Sequence, residues 1–303
     1  MSIFASRKKR IDNDLEVMVS MTRKKGQWRD IVARLLRNKL GMVGLIIVSV
    51  LLILVIFAPL FTPYDYSIQN ASNRFVYPNR QHIMGTDNYG RDIWTRLLYG
   101  GRISLLIAFF SAFLSTVTGM VFGSFSGYFG GKVDTAIARV VDIIMAIPGL
   151  LLAIAISTAL GSGPFNTVLA ISISGIPGGT RVMRSTVMAI KNNEFVEAAI
   201  ATGSTNIRVI FKHIIPNTIA PLLLNSTLAI GVAILSISGL SFIGLGVAPP
   251  TPEWGSILNA GRVYIRDFWP IIVFPSMFIT LTLFGFNLFG DALRDALDPR
   301  LKD

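Results

Sequence analysis

Cysteine is absent from the 303 residues, so the chain has no disulfide framework, no thiolate metal site and no Cys nucleophile. Charge is scarce: Asp, Glu, Lys and Arg make up 15% of the residues, against about a quarter in soluble domains. There are only two histidines, His82 and His213. They fall in loops on opposite sides of the membrane spans assigned below. A His-based intramembrane hydrolase or a bundle-core metal site therefore lacks ligands, and both read as ordinary polar loop residues. A phosphate-binding loop is missing too. The only Gly-Lys pair, Gly131-Lys132, has Ser126 where the first glycine belongs and Val133 where the hydroxyl belongs. No catalytic residue, metal site or cofactor is expected. What the chain does have is apolar surface: 52% hydrophobic residues and a mean hydropathy of +0.59. That excludes a disordered chain, argues against a soluble enzyme, and points to an all-α polytopic membrane protein in the lipid bilayer.

A membrane-crossing helix needs about 20 mostly apolar residues. Six stretches answer: Leu40 to Phe61, Ile103 to Tyr128, Ala136 to Leu160, Phe165 to Thr180 continuing past Arg181 and Arg184, Thr218 to Val247, and Trp269 to Gly290. The first is too long for a signal-peptide core, and no small-residue cleavage site follows it. Basic residues set the orientation. Residues 1–39 hold 11 Lys and Arg, Lys132 adds one, 181–217 five and the tail after Gly290 three, twenty on one side. The other side has five in 62–102 and two in 248–268, seven in all. Both termini are thus expected in the cytoplasm. Most of the net charge of +11 is a topology signal; no aromatic-basic interleaving supports nucleic acid as a partner.

The divisions follow. A basic leader (1–39) ends in an amphipathic interfacial stretch, Trp28 to Lys39. One span (40–61), an extracytoplasmic segment (62–102), a five-helix core (103–290) with a cytoplasmic loop at 191–217, and a tail (291–303) complete it. Ser111, Ser115, Gly119, Gly123 and Gly127 recur every four residues in the second span and predict tight helix packing. Arg139 and Asp142, at i and i+3, predict a local ion pair at the interface in preference to a proton or ion relay. Gly175, Pro177, Gly178 and Gly179 are expected to break the fourth span, as a cavity-lining hinge or as a packing kink. Asp87, Arg91, Asp92 and Arg96 read as surface-level pairs that fix a turn, in preference to a docking rim for an extracytoplasmic partner. In the tail, Asp291 with Arg294 and Arg294 with Asp298 are spaced to pair.

The segment Glu194 to Asn217, EFVEAAIATGSTNIRVIFKHIIPN, reads as two short helices. Gly203 closes the first, Ser204 or Thr205 caps the second, Pro216 breaks it, and Asn217 caps the next span. So ordered and amphipathic a loop offers a surface to a partner. Its residues carry a resemblance: Glu197, Ala198, Ala199 and Gly203, followed by Ile214, Ile215 and Pro216, are similar to the coupling motif of the membrane subunits of bacterial ABC importers. HIIPN resembles the oligopeptide and dipeptide branch, although His213 stands where an apolar residue is common. MGTDNYGRDIWTRLLYGGRISL (Met84 to Leu105) and FGDALRDALDPR (Phe289 to Arg300) resemble further signatures of that branch. The likeness runs from about Arg34 to the end.

The resemblance implies a C-type permease subunit with the type I importer fold, in a bacterial plasma or inner membrane. It implies as partners a second, homologous permease subunit, two cytoplasmic ATPase subunits and an extracytoplasmic peptide-binding protein. Glu197, Ala198, Ala199, Gly203, Ile215 and Pro216 would then form the ATPase contact. Nickel, glutathione or another small solute are alternative cargoes. An ion-coupled secondary transporter is the competing class, but it calls for paired mid-membrane carboxylates, and only Asp142 is available.

Overall fold

The computed structural model describes residues 32–297, and the described residues are helical with turns and irregular connections. Residues 32–37 form a short helix that Asn38 ends; the rest of the leader, including residues 28–31, lies outside the described residues. Asn38 then caps α1 (Lys39–Ile56), its side chain accepting from the Gly41 N–H. The chain crosses an irregular segment to α2 (Ile93–Phe129), whose N-cap Asp92 accepts from the Thr95 N–H. Gly130 and Gly131, both at positive φ, turn it into α3 (Gly131–Met145). Then come α4 (Gly149–Leu160), α5 (Pro164–Ile190), α6 (Glu194–Ala201), α7 (Ile219–Phe242), α8 (Trp254–Gly261) and α9 (Pro270–Leu297).

Four helices, α1, α2, α7 and α9, are long and apolar enough to cross a membrane, and α3 with α4 make a fifth candidate as a bent pair. The stretch expected to run unbroken from Ala136 to Leu160 instead bends by 85°. Pro148, just before α4, explains it, because proline cannot donate the hydrogen bond that would continue α3. The 27 residues of α5 span about 40 Å at ~1.5 Å each. It carries Arg181, Arg184 and several serines and glycines, and so falls below the apolarity of the others. The expected break at Pro177 does not occur; Pro177 sits buried inside a continuous α5.

The long axis of the bundle is α2 against α5. Cβ atoms added at Gly119 and Gly123 would lie 2.8 Å from the Gly179 carbonyl carbon and 2.5 Å from the Thr180 carbonyl oxygen. At Gly127 the nearest atom would be the Arg184 carbonyl oxygen, 2.8 Å away. Backbone thus touches backbone along three of the five small residues, as their spacing predicts. A similar approach seats α1 on α9, where Gly44 faces the backbone of Gly285 and Phe289. The apolar core joins Leu97, Leu98, Ile107, Ile234, Ile237, Trp254 and Ile271 from α2, α7, α8 and α9.

Candidate coupling surface and cavity

Residues 191–217 form the helix–turn–helix that their pattern predicts. In α6 the Val196 and Ala199 side chains are buried against Val209, Ile214 and Leu222 and against Met183 and Val187 of α5. That pattern leaves Glu197 and Ala198 exposed on the outer side. Gly203 has φ +82°, and the Ser204 N–H bonds back to the Ala199 carbonyl at 3.1 Å, a Schellman closure. Thr205 caps the second helix by accepting from the Arg208 N–H.

Two local expectations are corrected here. Pro216 does not break the second helix; residues Val209–Ile214 widen into a π-helical turn, and Ile215–Asn217 continue in α form. A wider turn gives the proline ring room that a regular α-helix lacks. Asn217 does not cap α7: its amide donates back to the His213 carbonyl at 2.6 Å.

The outer face of the loop is apolar as well as acidic. Phe195, Ile200, Ile207 and Phe211 are exposed, the least so at 37%. Glu197, Ala198, Gly203 and Pro216 are exposed, Ile215 is half-buried and Ala199 is buried. Ala199 therefore seats the helix, whereas Glu197 and Ala198 face outward.

Ion pairs tie α5, which leads directly into this loop, to α3. Arg184 forks onto Asp134 with Nε–Oδ1 2.6 Å and Nη2–Oδ2 2.7 Å, and Ser126 of α2 joins the same carboxylate. Arg181 holds Asp142 at 3.0 Å. The pair expected between Arg139 and Asp142 is absent: helix α5 supplies Asp142 with a tertiary partner instead. Sequence could not reveal Asp134 with Arg184, which lie 50 positions apart.

At the other end of the bundle the Asp87 carboxylate takes Arg91 Nε at 2.7 Å and Arg96 Nε at 3.6 Å, all nearly buried. The turn-fixing pairs are thus present. His82 is no ordinary loop residue. It is buried, stacks on Tyr64 and meets Asp92 at 2.9 Å. His213, half-buried in the π turn, serves through its carbonyl. Glu253, wholly buried, caps α8 with its carboxylate accepting from the Gly255 and Ser256 N–H groups and from Ser104 of α2. Burial pushes its carboxyl above the usual range, and these donors pull it back. Glu253, at the N-cap, and Ser256, at N3, form a capping box with the usual residue types exchanged, an order that the common sequence signature does not flag. Asp291 and Arg294 form no ion pair among the described residues; Asp295 accepts from Asn38 instead. The spacing of Arg294 with Asp298 reaches outside them.

A cavity of about 360 Å³ opens between α2, α4, α5 and α7, bordered by Ser111, Ser115, Ser174, Gly178, Asn225 and Ser236. Two members of the small-residue face, Ser111 and Ser115, thus also reach a cavity, beyond the packing role their spacing predicts. The helical period could not single out Ser174 or Asn225, because the wall draws on four helices.

This geometry has a counterpart among known proteins. Residues 119–303 match the family described as "Binding-protein-dependent transport system inner membrane component", and residues 26–80 match the "N-terminal TM domain of oligopeptide transport permease C". The chain belongs to this family of transport permeases. It is 44% identical to the dipeptide transport system permease protein DppC of Alkalihalophilus pseudofirmus and 41% identical to the oligopeptide transport system permease protein OppC of Bacillus subtilis. Each likeness covers 91% of this chain and 90% of the relative. The glutathione transport system permease protein GsiD of Escherichia coli is 38% identical over 91% of both chains. In structure the permease resembles a chain of the MetNI methionine ABC transporter in an inward-facing form, with a TM-score of 0.54 at 18% identity, over 68% of this chain and 98% of that one. The fold is therefore that of a type I ABC importer permease, an inner membrane component.

Proposed function

We propose that this permease subunit carries short peptides across a bacterial inner membrane, powered by ATP hydrolysis in separate subunits. It would work beside a second, homologous permease subunit, two cytoplasmic ATPase subunits and an extracytoplasmic peptide-binding protein. The observation that carries this reading is the loop 191–217. Its inner face is locked to α5 and α7, and its outer face exposes an acidic group and the large apolar side chains of Phe195, Ile200, Ile207 and Phe211, the last edge-on to Phe125 of α2. A surface of that kind fits a groove in another protein. A rigid short helix also transmits a displacement that a flexible loop would absorb. Glu197, Ala198 and Gly203 are the centre of the contact, with Ile215 and Pro216 behind them.

In this reading the chain crosses the membrane six times, by α1, α2, the bent α3–α4 pair, α5, α7 and α9, with both termini in the cytoplasm. Helix α5 needs less apolarity than the others because α2 covers one face and the cavity borders another. The subunit has no reaction of its own to catalyse. Peptide cargo is favoured by the relatives' names: dipeptide, oligopeptide, and glutathione, itself a small peptide.

The test is reconstitution of the subunit with its partners in vesicles. Peptide uptake that needs both ATP and the binding protein is expected. Uptake that survives removal of ATP with an ion gradient intact would replace this reading with a secondary transporter. Orientation is tested separately, in the naturally cysteine-free chain. A membrane-impermeant thiol reagent should label Asn70→Cys in intact cells and spare Asn193→Cys; the reverse pattern would invert the topology.

A further inference from the structure

The glycines of this chain divide by what each one does, and Gly178 fits no structural class. Among the described residues it is the only glycine with neither a positive φ nor any atom within 4 Å of an added Cβ. It lies inside the continuous helix α5, where glycine is a poorer choice than alanine. No turn, close approach or helix contact within the chain calls for it. What lies in front of it is the cavity between α2, α4, α5 and α7.

The chemistry of that cavity is as distinctive as its shape. Its wall carries Ser111, Ser115, Ser174, Ser236 and Asn225, and no Asp, Glu, Lys or Arg among the described residues borders it. Ser115, Ser174 and Ser236 donate to carbonyls of their own helices and so present acceptor oxygens, while the Asn225 carboxamide supplies both donors and an acceptor. Ser111 is 1% exposed, and its Oγ has no hydrogen-bond partner. A buried hydroxyl left unpaired is costly, and a ligand bearing amide groups would satisfy it. The volume of about 360 Å³ falls in the small-molecule range of about 300–1,000 Å³.

Resting on the permease reading above, we propose that this cavity is a cargo subsite that binds the backbone amides of a passing peptide without testing side-chain charge. Gly178 sets the side-chain bulk it admits. Neutral donors and acceptors suit backbone amides, which every peptide shares, whereas a fixed charge in the wall would reject half of all charged side chains. The missing Cβ at 178 leaves room where a side chain would otherwise stand.

The experiment uses the whole complex, with its ATPase subunits and binding protein, in vesicles. Uptake of tri-alanine, tri-phenylalanine, tri-lysine and tri-glutamate is compared for Gly178→Ala, Gly178→Leu, Gly178→Trp and Ser174→Asp. Gly178→Ala and Gly178→Leu should assemble with unchanged or raised thermal stability. Gly178→Leu should cut tri-phenylalanine uptake about tenfold or more while tri-alanine falls far less, and Gly178→Trp should stop both. Ser174→Asp should slow tri-glutamate relative to tri-lysine, where the unaltered protein shows no such bias. Unchanged uptake in an intact Gly178→Leu complex would overturn the subsite. Loss of assembly in that variant would also overturn it, by giving the open space to the second permease subunit. No ATP-dependent uptake of any peptide by the unaltered complex would instead defeat the permease reading itself.

Discussion

The segment around residues 82–96 and the loop 191–217 look alike as sequence, since both crowd acidic residues, small residues and a glycine turn. Their fates in the fold are opposite. In the first, Asp87 is surrounded by Arg91, Arg96 and the Tyr89 and Arg91 N–H groups, and Asp92 by His82 and Thr95. Those carboxylates and cations are buried and paired within the chain, although Arg96 Nε, 3.6 Å from Asp87, is left short of a hydrogen bond. In the second, Glu197 has no hydrogen bond or ion pair to another side chain among the described residues, and it stands in solvent beside Ile200. A fold that encloses its charges uses them for its own stability. One that leaves them exposed on a rigid support keeps them for a partner. Stability and function should therefore separate cleanly between the two regions.

The largest effect on folding should come from Asp87→Ala, which leaves Arg91 and Arg96 buried without their counter-charge. Breaking a buried pair this way costs about 3–5 kcal/mol, and the protein should fail to accumulate in the membrane. Near-normal thermal unfolding of that variant would break the contrast. Next comes Gly123→Leu, whose side chain would start 2.5 Å from the Thr180 carbonyl oxygen. Overpacking there costs about 1–3 kcal/mol and should lower the melting temperature of this chain on its own, before any partner is added.

Gly203 sharpens the comparison because it belongs to the loop but carries a backbone constraint. At φ +82° with open space around it, Gly203→Val suffers strain alone, about 1–2 kcal/mol, and Gly203→Asn less. Both should remain inserted; transport should fail in the valine variant and largely return in the asparagine variant. The smallest structural effect belongs to Glu197→Lys. An exposed substitution of this kind typically shifts stability by no more than about 0.5 kcal/mol. Melting should stay unchanged while peptide-stimulated ATP hydrolysis is lost. If Glu197→Lys instead lowered the melting temperature as Asp87→Ala does, the two regions would not differ in kind.

Much of this was legible in the residues. Apolar runs marked where α1, α2, α7 and α9 lie, and Gly203 and Thr205 marked both ends of the turn in residues 191–217. Local chemistry speaks locally: a glycine that needs φ > 0 or a hydroxyl that caps acts within a few residues of itself. Apart from the π turn before Pro216 and the bond from Asn217 back to His213, the misses share the opposite property. Asp142 pairs with Arg181 rather than with Arg139 because helix α5 lies against α3, which no i, i+3 spacing can report. Pro148 is exposed where the chain bends and Pro177 is buried within the continuous α5, a difference that the prolines themselves do not announce. His82 became buried because Tyr64 and Asp92 fold over it. Cavity walls drawn from four helices have no period at all.

The central claim is that residues 191–217 meet a separate ATPase, and a single introduced cysteine tests it most directly. In a chain with no other cysteine, Ala198→Cys sits on the exposed side of α6, while Tyr77→Cys sits in the exposed part of the opposite segment. Short thiol-to-amine cross-linking in the assembled complex should join an ATPase subunit to position 198 and none to position 77. Cross-links from 77 and none from 198, in a complex that still transports peptide, would contradict the assignment.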